Sequence, residues 1–213
     1  MKLDVNRPYV LFLADIQASS KLPSAVREAV FQRIESENER LNSSLAPSLL
    51  LNLSISYGDE IAGLFQDART LYGVADALRQ AIYPEAHLRF VVVRNRIGVA
   101  STDIRQIGGP IFKRASERIE YLKRRNRFCS WDLGRGELDG SLEALAELSN
   151  SLIQRMTAYQ REIWRLLRSG CSQAQIAKML SKHQQSVSRA VIDGGANLLV
   201  MAEKQIQTLL ESL

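Results

Sequence analysis

The stretch Ser54-Ile55-Ser56-Tyr57-Gly58-Asp59-Glu60-Ile61-Ala62-Gly63-Leu64-Phe65 limits what this chain can fold into more than any other. Apolar residues flank a Gly-Asp pair, and such a pair between two apolar runs is a strong hairpin signal. The pattern predicts strands over 49–57 and 60–65, with the turn at Gly58-Asp59. That turn puts Asp59 and Glu60 at the edge of a buried sheet. An earlier run, Tyr9-Val10-Leu11-Phe12-Leu13-Ala14, is apolar without interruption, which suits a central strand buried on both faces. Asp15 ends that strand, so Asp15 and Asp59 share one rim if the strand lies beside the hairpin.

The remaining pattern fills in around these strands. A helix is expected over 24–45, with Ala25, Val26, Ala29, Val30 and Ile34 facing inward and Pro47 stopping it. Asp67 is expected to cap a second helix, to about residue 82, with Leu71, Val74, Ala75 and Leu78 inward. Residues 88–100 are rich in β-formers, and Gly98 within them marks a close backbone approach. A loop with Gly108, Gly109 and Pro110 leads to a helix over 111–122, and 128–131 suits a last strand. The order β-α-β-β-α-β-α-β predicts an α+β domain of the ferredoxin-like kind, a sheet layered with helices.

Three glycines without periodicity in Asp132-Leu133-Gly134-Arg135-Gly136-Glu137-Leu138-Asp139-Gly140 place a domain boundary there. The expected domains are 1–133 and 138–213, the second all-α. Thr157 with Gln160, and Ser172 with Gln175, make two capping boxes, and Gly170 closes the helix between them. A further helix starts near Gln184, and a last amphipathic one runs from about 195 to the end.

The net charge of +5, from 28 Lys and Arg against 23 Asp and Glu, permits nucleic acid without requiring it. Cys129 and Cys171 fall in separate expected domains and form no metal-ligand spacing, which suits a reduced compartment. The polar start Met1-Lys2-Leu3-Asp4-Val5-Asn6-Arg7 is unlike a signal peptide, and no apolar run reaches membrane-spanning length. The expectation is a cytoplasmic protein without a membrane partner.

Asp15 and Asp59, with Glu60 beside them, form the first candidate site. Close carboxylates repel, and a divalent cation relieves this, typically held by one or two carboxylates together with phosphate oxygens. Mg2+ or Mn2+ with a nucleotide is the matching cofactor; a turn residue and a backbone-capping residue are the plainer alternative. Leu13-Ala14-Asp15-Ile16, Tyr57-Gly58-Asp59-Glu60 and Arg96-Ile97-Gly98-Val99-Ala100 resemble the catalytic domain of class III nucleotidyl cyclases. That resemblance implies two metal-holding aspartates, at Asp15 and Asp59. A closer resemblance, spanning nearly the whole chain, is to the SatD-like family, a cyclase-like domain joined to a helix-turn-helix. It is carried by Gly58-Asp59-Glu60 with Gly63-Leu64, by Ile97-Gly98-Val99-Ala100-Ser101-Thr102, by Gly109-Pro110-Ile111-Phe112-Lys113-Arg114-Ala115 and by the tail.

The chain also departs from the cyclase pattern. Cyclases set an asparagine and an arginine four apart on the helix after the glycine loop, where Lys113 and Glu117 stand here, and Ile55 replaces their base-reading lysine. Arg114 and Arg118, four apart on one helical face, are the substitutes for contacting a nucleotide phosphate, or are simply solvated. Because stabilising phosphate charge is the main work of phosphoryl transfer, the departures argue against efficient cyclisation. The basic run Arg118, Lys123, Arg124, Arg125 and Arg127 reads as a phosphate surface or a solvated helix end.

In the tail, Ile176, Ala177, Leu180 and Val187 follow helix-turn-helix spacing, with Ser181 and Lys182 at the positions where glycine and an apolar residue are usual. The stretch from Met156 onward resembles the C-terminal DNA-binding helices of sigma factors and response regulators. From Arg155 to Arg189 there are seven basic residues and one acid, Glu162, the electrostatic footprint of a phosphate-contacting module. Gln184, Gln185, Ser188 and Arg189 are the candidates for base edges, and Arg165, Lys178 and Lys182 for phosphates of double-stranded DNA. The last helix carries Leu198, Leu199, Ala202, Ile206, Leu209, Leu210 and Leu213, enough for intrachain packing and a homodimer contact. The sequence thus favours a DNA-binding transcriptional regulator whose first domain senses a nucleotide or metal, or dimerises. A metal-dependent nucleotidyl cyclase or transferase and a protein-interaction adaptor stand as the alternatives.

Overall fold

The computed structural model describes residues 3–56 and 58–213. Tyr57, the end that the sequence pattern gives the first hairpin strand, lies outside the described residues, as do Met1 and Lys2 at the polar start. The elements in chain order are β1 (Pro8–Gln17), α1 (Ser24–Ser44), β2 (Leu49–Ile55), β3 (Glu60–Phe65), α2 (Leu71–Ile82), β4 (His87–Arg96), α3 (Pro110–Arg125) and β5 (Cys129–Asp132). The helices α4 (Gly136–Arg155), α5 (Ala158–Arg168), α6 (Gln173–Met179), α7 (Gln184–Asp193) and α8 (Ala196–Glu211) follow. The fold is mixed α+β. Two compact units divide the chain, residues up to Glu143 with Leu210–Leu213, and Ala144–Leu209. Among the described residues no helix is long and apolar enough to cross a membrane.

In the first unit a five-stranded sheet runs in the order β2-β3-β1-β4-β5, with β1 antiparallel to both neighbours and β4 parallel to β5. Alternation along the strands sorts their side chains to two faces. Leu11 and Leu13 of β1, Ala62 and Leu64 of β3, and Val91 and Val93 of β4 share one core with Ile111, Ala115, Ile119 and Leu122 of α3. Val10, Phe12, Ala14 and Ile16 are equally buried, so β1 is covered on both faces, as its unbroken apolar run requires. On their side Phe12 stacks on Phe90 with ring centroids 5.7 Å apart. Helices α1 and α2 pack on each other and against β2 and β4.

Several elements differ from the sequence expectation. β1 continues past Ala14 to Gln17, because Asp15, Ile16 and Gln17 still pair with Arg89, Leu88 and His87. The buried stripe of α1 is Val30, Ile34, Asn38 and Leu41, while Ala25 and Ala29 are exposed. Asp67 accepts from the Arg69 amide in the turn before α2 and does not cap it; the N-cap is Thr70. The glycine-rich segment is not all loop. α4 begins at Gly136 and contains Gly140, because the Asp139 carboxylate accepts from the amides of Leu133 (3.0 Å) and Arg135 (3.1 Å) and organises the entry. Glu143 in turn accepts from Ser130 Oγ (2.7 Å) and the Trp131 amide (3.0 Å), fastening the first turns of α4 to β5.

Gly98 does mark a close approach. A Cβ on Gly109 would lie 2.3 Å from Gly98 N, and Gly109 has φ +83°, so both the space and the backbone conformation require glycine there. In the second unit, Ile153, Ile163, Trp164, Ile176, Val187, Val191 and Leu199 are buried in one core. Both capping boxes form, at Thr157 with Gln160 and at Ser172 with Gln175. Ser181 joins α6 to α7 at φ +51°, a left-handed conformation in which the Lys182 amide reaches back to the Ala177 carbonyl at 2.9 Å.

Candidate functional site

The hairpin turn and the end of β1 meet through the backbone. The Ser56 amide donates to the Glu60 carbonyl (2.8 Å), closing the turn, and the Ile16 amide donates to the Asp59 carbonyl (3.4 Å). Asp15 and Asp59 therefore stand at the same end of the sheet. Their side chains have different partners. Asp59 accepts a hydrogen bond from Ser19 Oγ, in the 3-10 turn between β1 and α1. Asp15 lies on the α3 face of the sheet, directly opposite Glu60 in β3 and Arg89 in β4. Its Oδ2 accepts from Arg89 Nη1 at 3.2 Å, and its Oδ1 is 3.4 Å from Lys123 Nζ in the last turn of α3. Lys123 also reaches Glu120 at 3.1 Å.

The electrostatics follow from burial and crowding. Burial pushes the Asp15 carboxyl above its usual range, with the Asp59 charge adding to the rise, and Lys123 and Arg89 oppose it. Glu60 is also raised, first by burial, then by the charges of Asp15, Asp59 and Glu120, with Lys123 opposing. For Lys123, burial is the largest influence and pulls it down. The hydrogen bond to Glu120 and the charges of Asp15 and Glu120 together outweigh burial and hold the ammonium above its ordinary value.

These side chains do not fit a divalent centre. A hard cation needs free carboxylate oxygens, and both oxygens of Asp15 already face cationic nitrogens. Arg89 is a guanidinium with only 10% of its side chain exposed, a counter-charge built into the sheet beside Asp15. Among the described residues no group of three or more His, Cys, Asp or Glu has the placement to hold a metal ion.

At the turn an open cleft of about 810 Å³ is lined by Ser19, Ser20, Ser24, Arg27, Phe31 and Gly58 together with two acids, Glu28 and Asp59. It lies at the start of α1, whose N-cap, Pro23, gives no side-chain cap and whose first turn holds no acid. The first amides of a helix lack intrahelical acceptors and carry positive potential. Arg114 and Arg118 are engaged elsewhere: both put Nε on Asp132 Oδ2 at the end of β5, Arg118 at 3.3 Å. Lys113 and Glu117 are exposed, and Glu117 is 3.8 Å from Arg114.

The tail residues lie on α5, α6 and α7, apart from Lys182 in the turn between α6 and α7. Val187, Ala190 and Val191 turn inward from α7, leaving Gln184, Gln185 and Arg189 exposed and Ser188 half-buried. Arg165, Lys178 and Lys182 are exposed. Arg189 has 86% of its side chain exposed and is 3.6 Å from Asp193; Arg165 is 3.1 Å from Glu162. Exposed pairs of this kind contribute little and are readily exchanged for another anion.

Sequence reading missed Arg89 and the role of Lys123. A charged residue inside the apolar run Leu88-Arg89-Phe90-Val91 was a usable signal, since a buried guanidinium needs a buried acid. Lys123 gave none, because its reach to Asp15 depends on how α3 lies over β1.

No protein-family model and no curated protein matches the chain. Among solved structures, that of a bacterial light-regulated adenylyl cyclase is similar, with a TM-score of 0.40 and 12% sequence identity, over 59% of this chain. The match spans 43% of that chain, less than half its length.

Proposed function

We propose that this chain is a DNA-binding transcriptional regulator of the SatD-like kind, with a nucleotidyl-cyclase-like first domain that takes a nucleotide and a helix-turn-helix that reads duplex DNA. The observation carrying the reading is the surface of α7. Its apolar residues are buried while Gln184, Gln185 and Arg189 are exposed, and the exposed Lys178 and Lys182 precede it in chain. Donors and acceptors on one helix read base edges, and flanking cations neutralise phosphates. The left-handed Ser181 supports the motif, because the turn between the two helices of a helix-turn-helix favours such a residue.

The first domain takes its nucleotide by the phosphates, in the cleft where Ser19, Ser20, Ser24 and Arg27 stand beside the uncapped start of α1. Regulation is favoured over turnover because Arg114 and Arg118, the candidate substitutes for the cyclase arginine, are held by Asp132. Pairing for two half-sites would use α8, where Leu198 and Met201 are 61% and 66% exposed.

Fluorescence anisotropy of the full chain on genomic fragments it enriches, across a salt series, tests the reading. Arg189→Ala should cost about 1–3 kcal/mol on the enriched site and little on random duplex. Lys178→Ala should weaken both alike and lower the salt slope by about one unit. Absence of salt-dependent binding, or identical behaviour of the two variants, overturns the assignment.

A further inference from the structure

We propose that Lys123 is the resident cation of the Asp15 rim: it holds, with Arg89, the carboxylate that would otherwise bind a divalent metal, and so closes this end of the sheet to metal ions. The inference concerns the rim alone and stands whether or not a nucleotide enters the cleft.

Two cations meet Asp15, and they differ in kind. Arg89 Nη1 lies 3.2 Å from Oδ2, its side chain is nine-tenths buried, and its place is fixed by the β1–β4 register. Lys123 Nζ lies 3.4 Å from Oδ1 on the opposite side of the carboxylate, from a helix end, with 37% of its side chain exposed. Arg89 is thus a built-in counter-charge, and Lys123 is the one exchangeable partner.

The charge count says what exchange would do. Four carboxylates, Asp15, Asp59, Glu60 and Glu120, act on one another or on Lys123 around this point, against two cations, Arg89 and Lys123. The excess of acid would draw in a divalent ion. What prevents it is that Asp15, the carboxylate with a register neighbour on either side, has a cationic nitrogen against each of its oxygens. An ion on Oδ1 would sit within a few ångströms of the ammonium, where like charges repel strongly at the reduced dielectric of a part-buried site. Removing the ammonium frees Oδ1, leaves Glu60 across the strand as a second donor, and deepens the negative potential. A metal site should then appear where the wild-type chain has none.

The probe is Mn2+ alone, followed by the paramagnetic signal of the free ion during titration of the full-length chain and by thermal melting with and without Mn2+. The chains compared are wild type, Lys123→Ala, Lys123→Gln, Asp15→Asn, and Lys123→Ala with Asp15→Asn. Lys123→Gln serves where the alanine variant folds poorly. Wild type and Asp15→Asn should bind Mn2+ alike, through scattered surface carboxylates only. Lys123→Ala or Lys123→Gln should gain one site at least about tenfold tighter than that background, and Mn2+ should raise its melting temperature. Adding Asp15→Asn should remove both gains. Saturable wild-type binding that is lost in Asp15→Asn would overturn the proposal, because the rim would then be open with Lys123 in place. Failure of both Lys123 variants to gain an Asp15-dependent site would overturn it equally, because the lysine would not be what keeps the ion out.

Discussion

Asp15 and Arg89 face each other across the β1–β4 ladder, carboxylate to guanidinium at 3.2 Å, with 7% and 10% of their side chains exposed. Register places the two residues directly opposite each other on neighbouring central strands. Arg89 Nε is buried and has no hydrogen-bond partner among the described residues, which makes the guanidinium depend on Asp15 for its charge compensation.

Asp15→Ala should therefore destabilise the fold, but by less than the about 3–5 kcal/mol of a fully favourable buried pair, because burying the Asp15 charge itself costs stability at neutral pH. Urea unfolding with the slope held constant measures it. A loss below about 1 kcal/mol, the range of exposed pairs, would mean that water reaches Arg89 freely.

Glu60 gives a prediction of the opposite sign. Its folded pKa is raised above the ordinary 4.5, so the folded state binds the proton more tightly than the unfolded chain does. Stability from this group is present below 4.5 and is lost as pH rises through the window between 4.5 and the raised folded value. Asp15 behaves alike from 3.8 upward. Glu60→Gln removes the charge, so its melting temperature should exceed that of wild type near about pH 7, with the gap closing on acidification. A glutamine variant that melts lower at neutral pH would show that the Lys123 attraction outweighs burial.

Asn42 guards the open edge of the sheet. Its side-chain amide donates to the Leu53 carbonyl (3.0 Å) and accepts from the Leu53 amide (2.8 Å), standing in for a residue of a next strand beside β2. Asn42→Ala strands both backbone groups, at a cost of about 1–3 kcal/mol. It should also promote concentration-dependent association, since an unpaired edge is a template for pairing. Unfolding curves and light scattering report the two effects. Unchanged stability would mean that water replaces the amide fully.

Ser181→Gly should stabilise the second unit by about 0.5–1 kcal/mol, because serine at φ +51° bears a left-handed strain that glycine does not. Thermal unfolding checks it. DNA affinity should stay within about twofold, since the exposed side of α7 is untouched. Loss of stability would show that the Ser181 side chain contributes more than its backbone conformation costs.

The sequence by itself determined what depends on neighbours along the chain. The apolar run at Tyr9 to Ala14 and the Gly58-Asp59 pair set β1 and the hairpin, and Thr157 with Gln160 and Ser172 with Gln175 set two helix starts, because periodicity and capping act within a few residues. Gly98 announced a close approach, but only the fold supplied Gly109 as its partner. The tertiary structure alone decided which cations face the rim. Asp15 looks like a metal ligand in isolation. Arg89 comes to it through a register between residues far apart in sequence, and Lys123 through the way α3 crosses the sheet. Arg114 and Arg118 look free on a helix until β5 brings Asp132 beneath them. Charge compensation is a matter of distances between elements, and no local pattern in the chain records those distances.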